Sequence, residues 1–164
     1  MKRVVLVNGL PGAGKTTLAT ALARAASLPL ISKDAIKDEL AATGGSVAGA
    51  AEMMWERAAG HDGDVILESW WFRARDLAYA QAGLKLSRAR SVTEVWCEVP
   101  ADVARRRFEA RRRPAYYRDA QSLADNWAVW SAGAEPLGLG TVLRVRTDAP
   151  VDVAMLVKRI RASG

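Results

Sequence analysis

A chain of 164 residues, 50% hydrophobic and 26% charged, has the length of one domain and the composition of a globular protein rather than a disordered one. No apolar run reaches the about 18 residues of a membrane span, and the basic start MKRVVLVNGL lacks a signal peptide's long apolar stretch, so a cytoplasmic location is expected. A single cysteine (Cys97) and a single histidine (His61) exclude an internal disulfide and a clustered Cys or His metal site, while a net charge of +6 raises the question of nucleic acid.

In chain order, Arg3–Asn8 (RVVLVN) reads as a buried parallel strand running into Gly9. Lys15–Ala26 reads as a helix, with Leu18, Leu22 and Ala25 at helical spacing. Leu28–Ile31 is a second strand, placed near a sheet edge by Pro29. Lys33–Ala42 is helical and ends at Gly44-Gly45; Ser46 caps a further helix through Ala59. Asp64–Glu68 is a third strand, Phe72 to about Leu86 a helix, and Val92–Val99 a fourth strand. Pro100–Arg113 is an Arg-rich helix that Pro114 breaks. Gln121–Ser131 is helical, Thr141–Arg146 a fifth strand, and Val151–Arg161 a final helix. Five short apolar strands alternating with helices make an α/β domain, with a parallel sheet and helices on both faces. Its ligand belongs beyond the carboxyl ends of the strands.

Most of the positive charge is local. Between Asp102 and Arg118 seven arginines face two acids, a surplus of five. A general polyanion binder would spread its charge over several elements, so nucleic acid is possible but not favoured. One dense Arg segment suits a clamp on phosphate.

Gly9-Leu10-Pro11-Gly12-Ala13-Gly14-Lys15-Thr16 fits G-x-x-x-x-G-K-[ST], directly after a strand and opening a helix. Glycines Gly9, Gly12 and Gly14, with Ala13, let backbone N–H groups turn in around a β-phosphate. The helix behind them points its N-terminus at the same anion. Lys15, expected to be exposed when nucleotide is absent, addresses the β- and γ-phosphates. The Thr16 hydroxyl takes a Mg²⁺ position, and Thr17 reaches the α-phosphate. ATP and Mg²⁺ are therefore the expected ligands.

NGLPGAGKTT, SKDAIKDEL, DVILES and CEVPADVARRRFEARR, in that order, resemble the small P-loop kinases: adenylate, gluconate and shikimate kinases, chloramphenicol phosphotransferase, zeta toxins and polynucleotide kinase. The resemblance implies a five-stranded parallel sheet of order 2-3-1-4-5 with helices on both faces. It implies one kinase domain over residues 1–164, with an Arg-rich lid at about 107–120. By the same likeness Asp34 engages the acceptor hydroxyl, with Lys37 beside it; Ser32 or Asp34 as a mere helix cap is the competing reading. Glu68 ends the third strand where the group carries its acid near Mg²⁺. Arg107 and Arg111, four apart on one helix face, would lie against the adenine and contact the transferring phosphate. Arg105, Arg106, Arg112 and Arg113 are secondary, with a solvated face as the alternative. Thr147–Pro150 stands where such kinases wrap the base.

Trp70 and Trp71 follow the third strand's carboxyl end, where an aromatic wall suits a ring-bearing acceptor. Trp55, Trp127 and Trp130 read as core. The expected function is transfer of the ATP γ-phosphoryl to a hydroxyl of a small molecule: a sugar, a nucleoside or an antibiotic-like compound. Residues 34–62 hold only Lys37 and Arg57 as basic groups, which speaks for a neutral acceptor. A polynucleotide 5′-hydroxyl kinase, a nucleoside monophosphate kinase and an ATP-binding switch without kinase chemistry are the alternatives. The sequence leaves the acceptor's identity and the oligomeric state open.

Overall fold

The computed structural model describes residues 2–163. Its five strands are β1 (Arg3–Asn8), β2 (Leu30–Ser32), β3 (Val65–Glu68), β4 (Ser91–Glu98) and β5 (Thr141–Arg146). They pair in parallel in the order β2-β3-β1-β4-β5. Seven helices join them: α1 (Lys15–Ala26), α2 (Lys33–Ala42), α3 (Ala50–Ala59), α4 (Arg73–Leu86), α5 (Ala101–Glu109), α6 (Asp119–Ala132) and α7 (Val153–Ala162). Among the described residues no helix is long and apolar enough to cross a membrane.

The apolar run of β1 explains the layering. Val4 to Val7 are fully buried, and successive side chains point to opposite faces. Val5 and Val7 join Leu18, Leu22, Phe108 and Val157, so α1, α5, α6 and α7 cover one face. Val4 and Leu6 join Ile36, Met54, Trp55 and Leu84, so α2, α3 and α4 cover the other. A central parallel strand buried on both sides cannot alternate polar with apolar, and this one does not.

Several boundaries differ from the sequence expectation for identifiable reasons. β2 starts at Leu30, because Pro29 contributes only its carbonyl, which accepts from Ile66 N (2.9 Å). The helix expected from Ser46 splits into a 3₁₀ turn at Val47–Gly49 and then α3. Asp64 lies outside β3; its Oδ1 accepts from Arg3 N at 2.8 Å. α6 begins at Asp119, after a 3₁₀ turn at Ala115–Tyr117. α7 begins at Val153, capped by Asp152, whose Oδ1 accepts from Met155 N (2.9 Å).

The largest departure is α5, which stops at Glu109 rather than Arg113. Pro114 disfavours helical backbone at Arg113, and three adjacent guanidinium groups repel one another. The freed segment turns its side chains toward α2. Arg111 is therefore not on the helix that carries Arg107, and the shared-face expectation fails.

At the carboxyl end of β1 lies a buried polar knot. Asn8 Oδ1 accepts from Gly9 N (2.8 Å) and Trp71 N (3.0 Å). Asn8 Nδ2 donates to Trp71 O (3.2 Å) and to Glu94 Oε1 (3.0 Å). Glu94 on β4 also accepts from Leu137 N and Gly138 N, both at 2.9 Å. Asn8 and Glu94 are fully buried. Glu94→Gln replaces an acceptor oxygen with a donor facing a backbone N–H. It should lower stability by about 1–3 kcal/mol, seen as a lower urea midpoint at unchanged m value.

Candidate active site

β1 delivers the chain into the phosphate loop, and local bonds fix its curl. Ala13 N donates to Leu10 O (2.9 Å), and Thr147 Oγ1, just past β5, donates to Ala13 O (2.6 Å). Gly14, at the N-cap of α1, has φ 85°. Gly12 has φ 86°, and a Cβ built there would lie 2.1 Å from the Ala104 carbonyl oxygen. The loop is pressed against α5 with no room for a side chain. The first-turn amides of α1 lack intrahelical acceptors and face outward, which makes a cradle for an anion.

Lys15 departs from its expected exposure. It is only 7% exposed, and Nζ donates to Leu10 O at 3.0 Å, so the side chain folds back along the loop. Burial lowers its pKa, and Glu68 opposes that shift. An ammonium held this way is ready to move to a better acceptor.

Next to the loop opens a cleft of about 120 Å³, at the carboxyl ends of β1, β2 and β3. Lys15, Thr16, Asp34, Lys37, Glu68, Trp70 and Arg111 all line it. Glu68, buried at the end of β3, accepts from Ser32 Oγ (2.6 Å) and Thr16 Oγ1 (3.4 Å). The β2–β3 pairing places Ser32 opposite Glu68, so register sets this contact. A hydroxyl and a carboxylate oxygen this close are hard donors of the kind Mg²⁺ takes, so Thr16 and Glu68 fit that ion.

The capping question at α2 resolves in favour of Ser32, whose Oγ accepts from Ala35 N (3.5 Å). Asp34 is released from that duty. Its Oδ2 accepts from Arg113 Nη1 (2.7 Å), and its Oδ1 lies 3.8 Å from Lys37 Nζ. Arg113 also donates from Nε to Asp119 Oδ2 (2.7 Å) and lies 3.8 Å over the Tyr117 ring. Tyr117 Oη donates to Asp34 O (3.0 Å) and Asp38 Oδ1 (2.7 Å); Tyr116 Oη donates to the same Asp38 oxygen (2.6 Å). The segment after α5 is thus docked on α2.

The two arginines expected together serve different places. Arg107 Nη1 donates to Thr147 O (3.3 Å) and, with Thr17, Ala149 and Pro150, lines a second hollow beside the loop. Arg111 enters the cleft, its guanidinium 5.3 Å from the Phe108 ring centroid. Burial and the neighbouring Arg113 pull its pKa below the usual value.

The two tryptophans also separate. Trp71 is a correction: it is 3% exposed, packs 6.2 Å from Trp55, and does not line the cleft. Successive side chains of an extended chain point opposite ways, so only Trp70 can face the site. Trp70 lies 6.1 Å edge-on to Trp130, which packs against the core as expected and also lines the cleft; the Trp70 indole N–H has no acceptor among the described residues. Sequence reading also passed over Lys33 and undervalued Arg113 as solvated. Both line the cleft through the turn of α2 and the early end of α5.

A family profile described as "AAA domain" matches residues 4–137. The chain belongs to this family. Its fold is that of the small P-loop kinases. A protein of Chloroflexus aurantiacus J-10-fl, provisionally assigned as a kinase, superposes with a TM-score of 0.77 at 26% identity, over 99% of this chain and 98% of that one. A gluconokinase from Sinorhizobium meliloti 1021 gives 0.61 at 19% identity, over 98% and 90%. A shikimate kinase from Bacteroides thetaiotaomicron gives 0.56 at 20% identity, over 97% and 96%. No curated protein sequence matches significantly.

For this AAA-domain protein the loop geometry makes a direct prediction. Gly12→Ala adds a Cβ onto the Ala104 carbonyl and should abolish measurable binding of a fluorescent ATP analogue while lowering the melting temperature. Gly44→Ala, also at positive φ (73°) but in open space, should cost only about 1 kcal/mol and leave that binding intact.

Proposed function

We propose that this P-loop kinase moves the γ-phosphoryl group of ATP to a hydroxyl of a small molecule, in the cytoplasm. One observation carries the reading. Asp34, relieved of capping, shares a single cleft with Lys15 and Arg111, so an acid for the acceptor and two cations for the phosphates face one space.

On this reading the amides of Gly9 to Thr17 bind the phosphates, and the hollow of Arg107 and Thr147–Pro150 takes the base. Thr16 and Glu68 would hold Mg²⁺, which supplies charge neutralisation on the β- and γ-oxygens. The acceptor hydroxyl donates to Asp34 as its oxygen bonds to the γ-phosphorus. The bond from that phosphorus to the β,γ-bridging oxygen breaks, ADP leaves, and the hydroxyl proton passes to Asp34. Lys15 and Arg111 neutralise the charge on the moving group. Trp70 walls the acceptor, and Lys37 steadies Asp34. Residues at about 107–120 act as the lid of one domain, closing over the transfer and excluding water. The cleft, about 120 Å³, is walled by side chains on several elements, which supports a small acceptor over a nucleic-acid strand.

Asp34→Asn should keep ATP affinity within a few-fold and lower kcat about 10²- to 10⁴-fold with a true acceptor, measured by ADP release. An unchanged kcat with a raised acceptor KM would instead point to a monophosphate acceptor.

Arg107→Ala should mainly raise the KM for ATP, and Arg111→Ala should mainly lower kcat. The two residues line different hollows, so steady-state kinetics on the pair separates base binding from phosphoryl transfer.

A further inference from the structure

The acceptor side of the cleft holds a cation that the proposed transfer does not use. Lys33, the first residue of α2, lines the cleft beside Asp34 and Trp70. Its ammonium forms no hydrogen bond or ion pair with any described residue. Its neighbours are already engaged. Arg113 is shared by Asp34 and Asp119. Lys37 leans on Asp34. Arg75 and Asp76 of α4 are joined by two hydrogen bonds of 2.7 Å. On this side three cations, Lys33, Lys37 and Arg113, face two carboxylates, Asp34 and Asp119. The surplus positive charge is Lys33. The remaining carboxylate, Glu68, is satisfied by Ser32 and Thr16.

The geometry points to an acceptor that carries its own anionic group, a carboxylate or a phosphate, which Lys33 binds while Asp34 engages the hydroxyl. This rests on the kinase reading above and narrows it. It also replaces the expectation of a neutral acceptor. That expectation counted basic residues from 34 to 62, and Lys33 stands one position before the window. Arg57, inside the window, pairs with Glu39 and does not line the cleft.

The ammonium's own state supports the assignment. Burial pushes Lys33 down to about 8; Lys37 and Arg75 add to that, and Asp34 and Asp76 oppose it. A bound anion would hold the proton on. In the free enzyme Lys33 is fully charged well below pH 8 and loses its proton as pH rises through that value, and anchoring of the anion weakens with it.

The test measures kinetics at saturating MgATP, where Lys15 is held by phosphate. D-Glucuronate and D-glucose 6-phosphate serve as anionic acceptors on one ring, against D-glucose; D-glycerate is compared with glycerol. The anionic members should show kcat/KM at least tenfold higher, and the carboxylate and phosphate arms tell which anion fits. Lys33→Gln should raise the KM for the preferred anionic acceptor about 10- to 100-fold, the range of a charge-assisted hydrogen bond, with kcat and the KM for ATP within a few-fold. In the wild type that acceptor KM should climb above pH 8, toward tenfold per pH unit. Lys33→Arg, always charged, should remove the climb, which a purely structural Lys33 would not do. Equal turnover of neutral and anionic members, or an unmoved KM in Lys33→Gln, overturns the inference and leaves the kinase reading standing. Bound ATP with no turnover of any acceptor overturns both.

Discussion

The side-chain amide of Asn8 locks together chain segments that the sheet brings side by side at its carboxyl edge. One end of the amide fixes Gly9, the first residue of the phosphate loop, and also Trp71 N. The other end ties back to Trp71 O and to Glu94. Through Glu94 the grip extends to Leu137 and Gly138. The start of the loop, the aromatic strap after β3 and the segment entering β5 are thereby tied together by the Asn8–Glu94 pair. In the dry centre of the sheet such bonds cannot be traded for water, so any shift of one segment strands a polar group in another. The position of Trp70 at the cleft follows from its neighbour Trp71 being pinned.

A second constraint works at the rim. Glu68 is drawn close by Ser32 on β2 and Thr16 on α1, and it is fixed by strand register rather than by a flexible loop. Around it the cleft concentrates cations. Some are held by specific partners: Lys15 by the Leu10 carbonyl, Arg113 by two carboxylates. Arg111, beside the Phe108 ring, and Lys33 have no hydrogen-bonding or carboxylate partner among the described residues. Unneutralised charge in a partly buried cleft is a cost to the free protein that an anionic ligand removes. On the proposed reading, stability given up there returns as affinity.

Much of this was legible in the sequence because it depends on local pattern. The fully apolar β1, the glycine spacing of the loop and the helix behind it are short-range signals, and the sheet order followed from resemblance. What escaped depends on long-range pairing. Asn8 closes an apolar run, and Glu94 interrupts one, so both stand out as oddities. Their partners, however, lie 63 and 86 residues away. The end of α5 was misjudged because helix propensity favours Arg, while tertiary pairing of Arg113 with Asp34 and Asp119 competes for the same residues. Trp70 and Trp71 looked equivalent, since adjacency in sequence does not show which face is wet.

The docking of the segment after α5 links the two halves of the proposed chemistry. Arg113 bridges Asp34 on α2 to Asp119 at the start of α6, and Tyr117 bonds the backbone of Asp34. The same short segment carries Arg111, two residues from Arg113. One short segment therefore both places Arg111 in the cleft and fixes the Asp34 carboxylate. With Oδ2 held by Arg113, the rotamer of Asp34 is set and Oδ1 is the oxygen left for an incoming hydroxyl. On the proposed reading, the held carboxylate orients the incoming hydroxyl before the phosphoryl group moves, as a loose transfer that depends on positioning requires. An Asp34 side chain free to rotate would meet the acceptor in many orientations; held by the docked segment, it faces the cleft that Lys15 and Arg111 also line, and on the proposed reading that fixed position is its main contribution to the step.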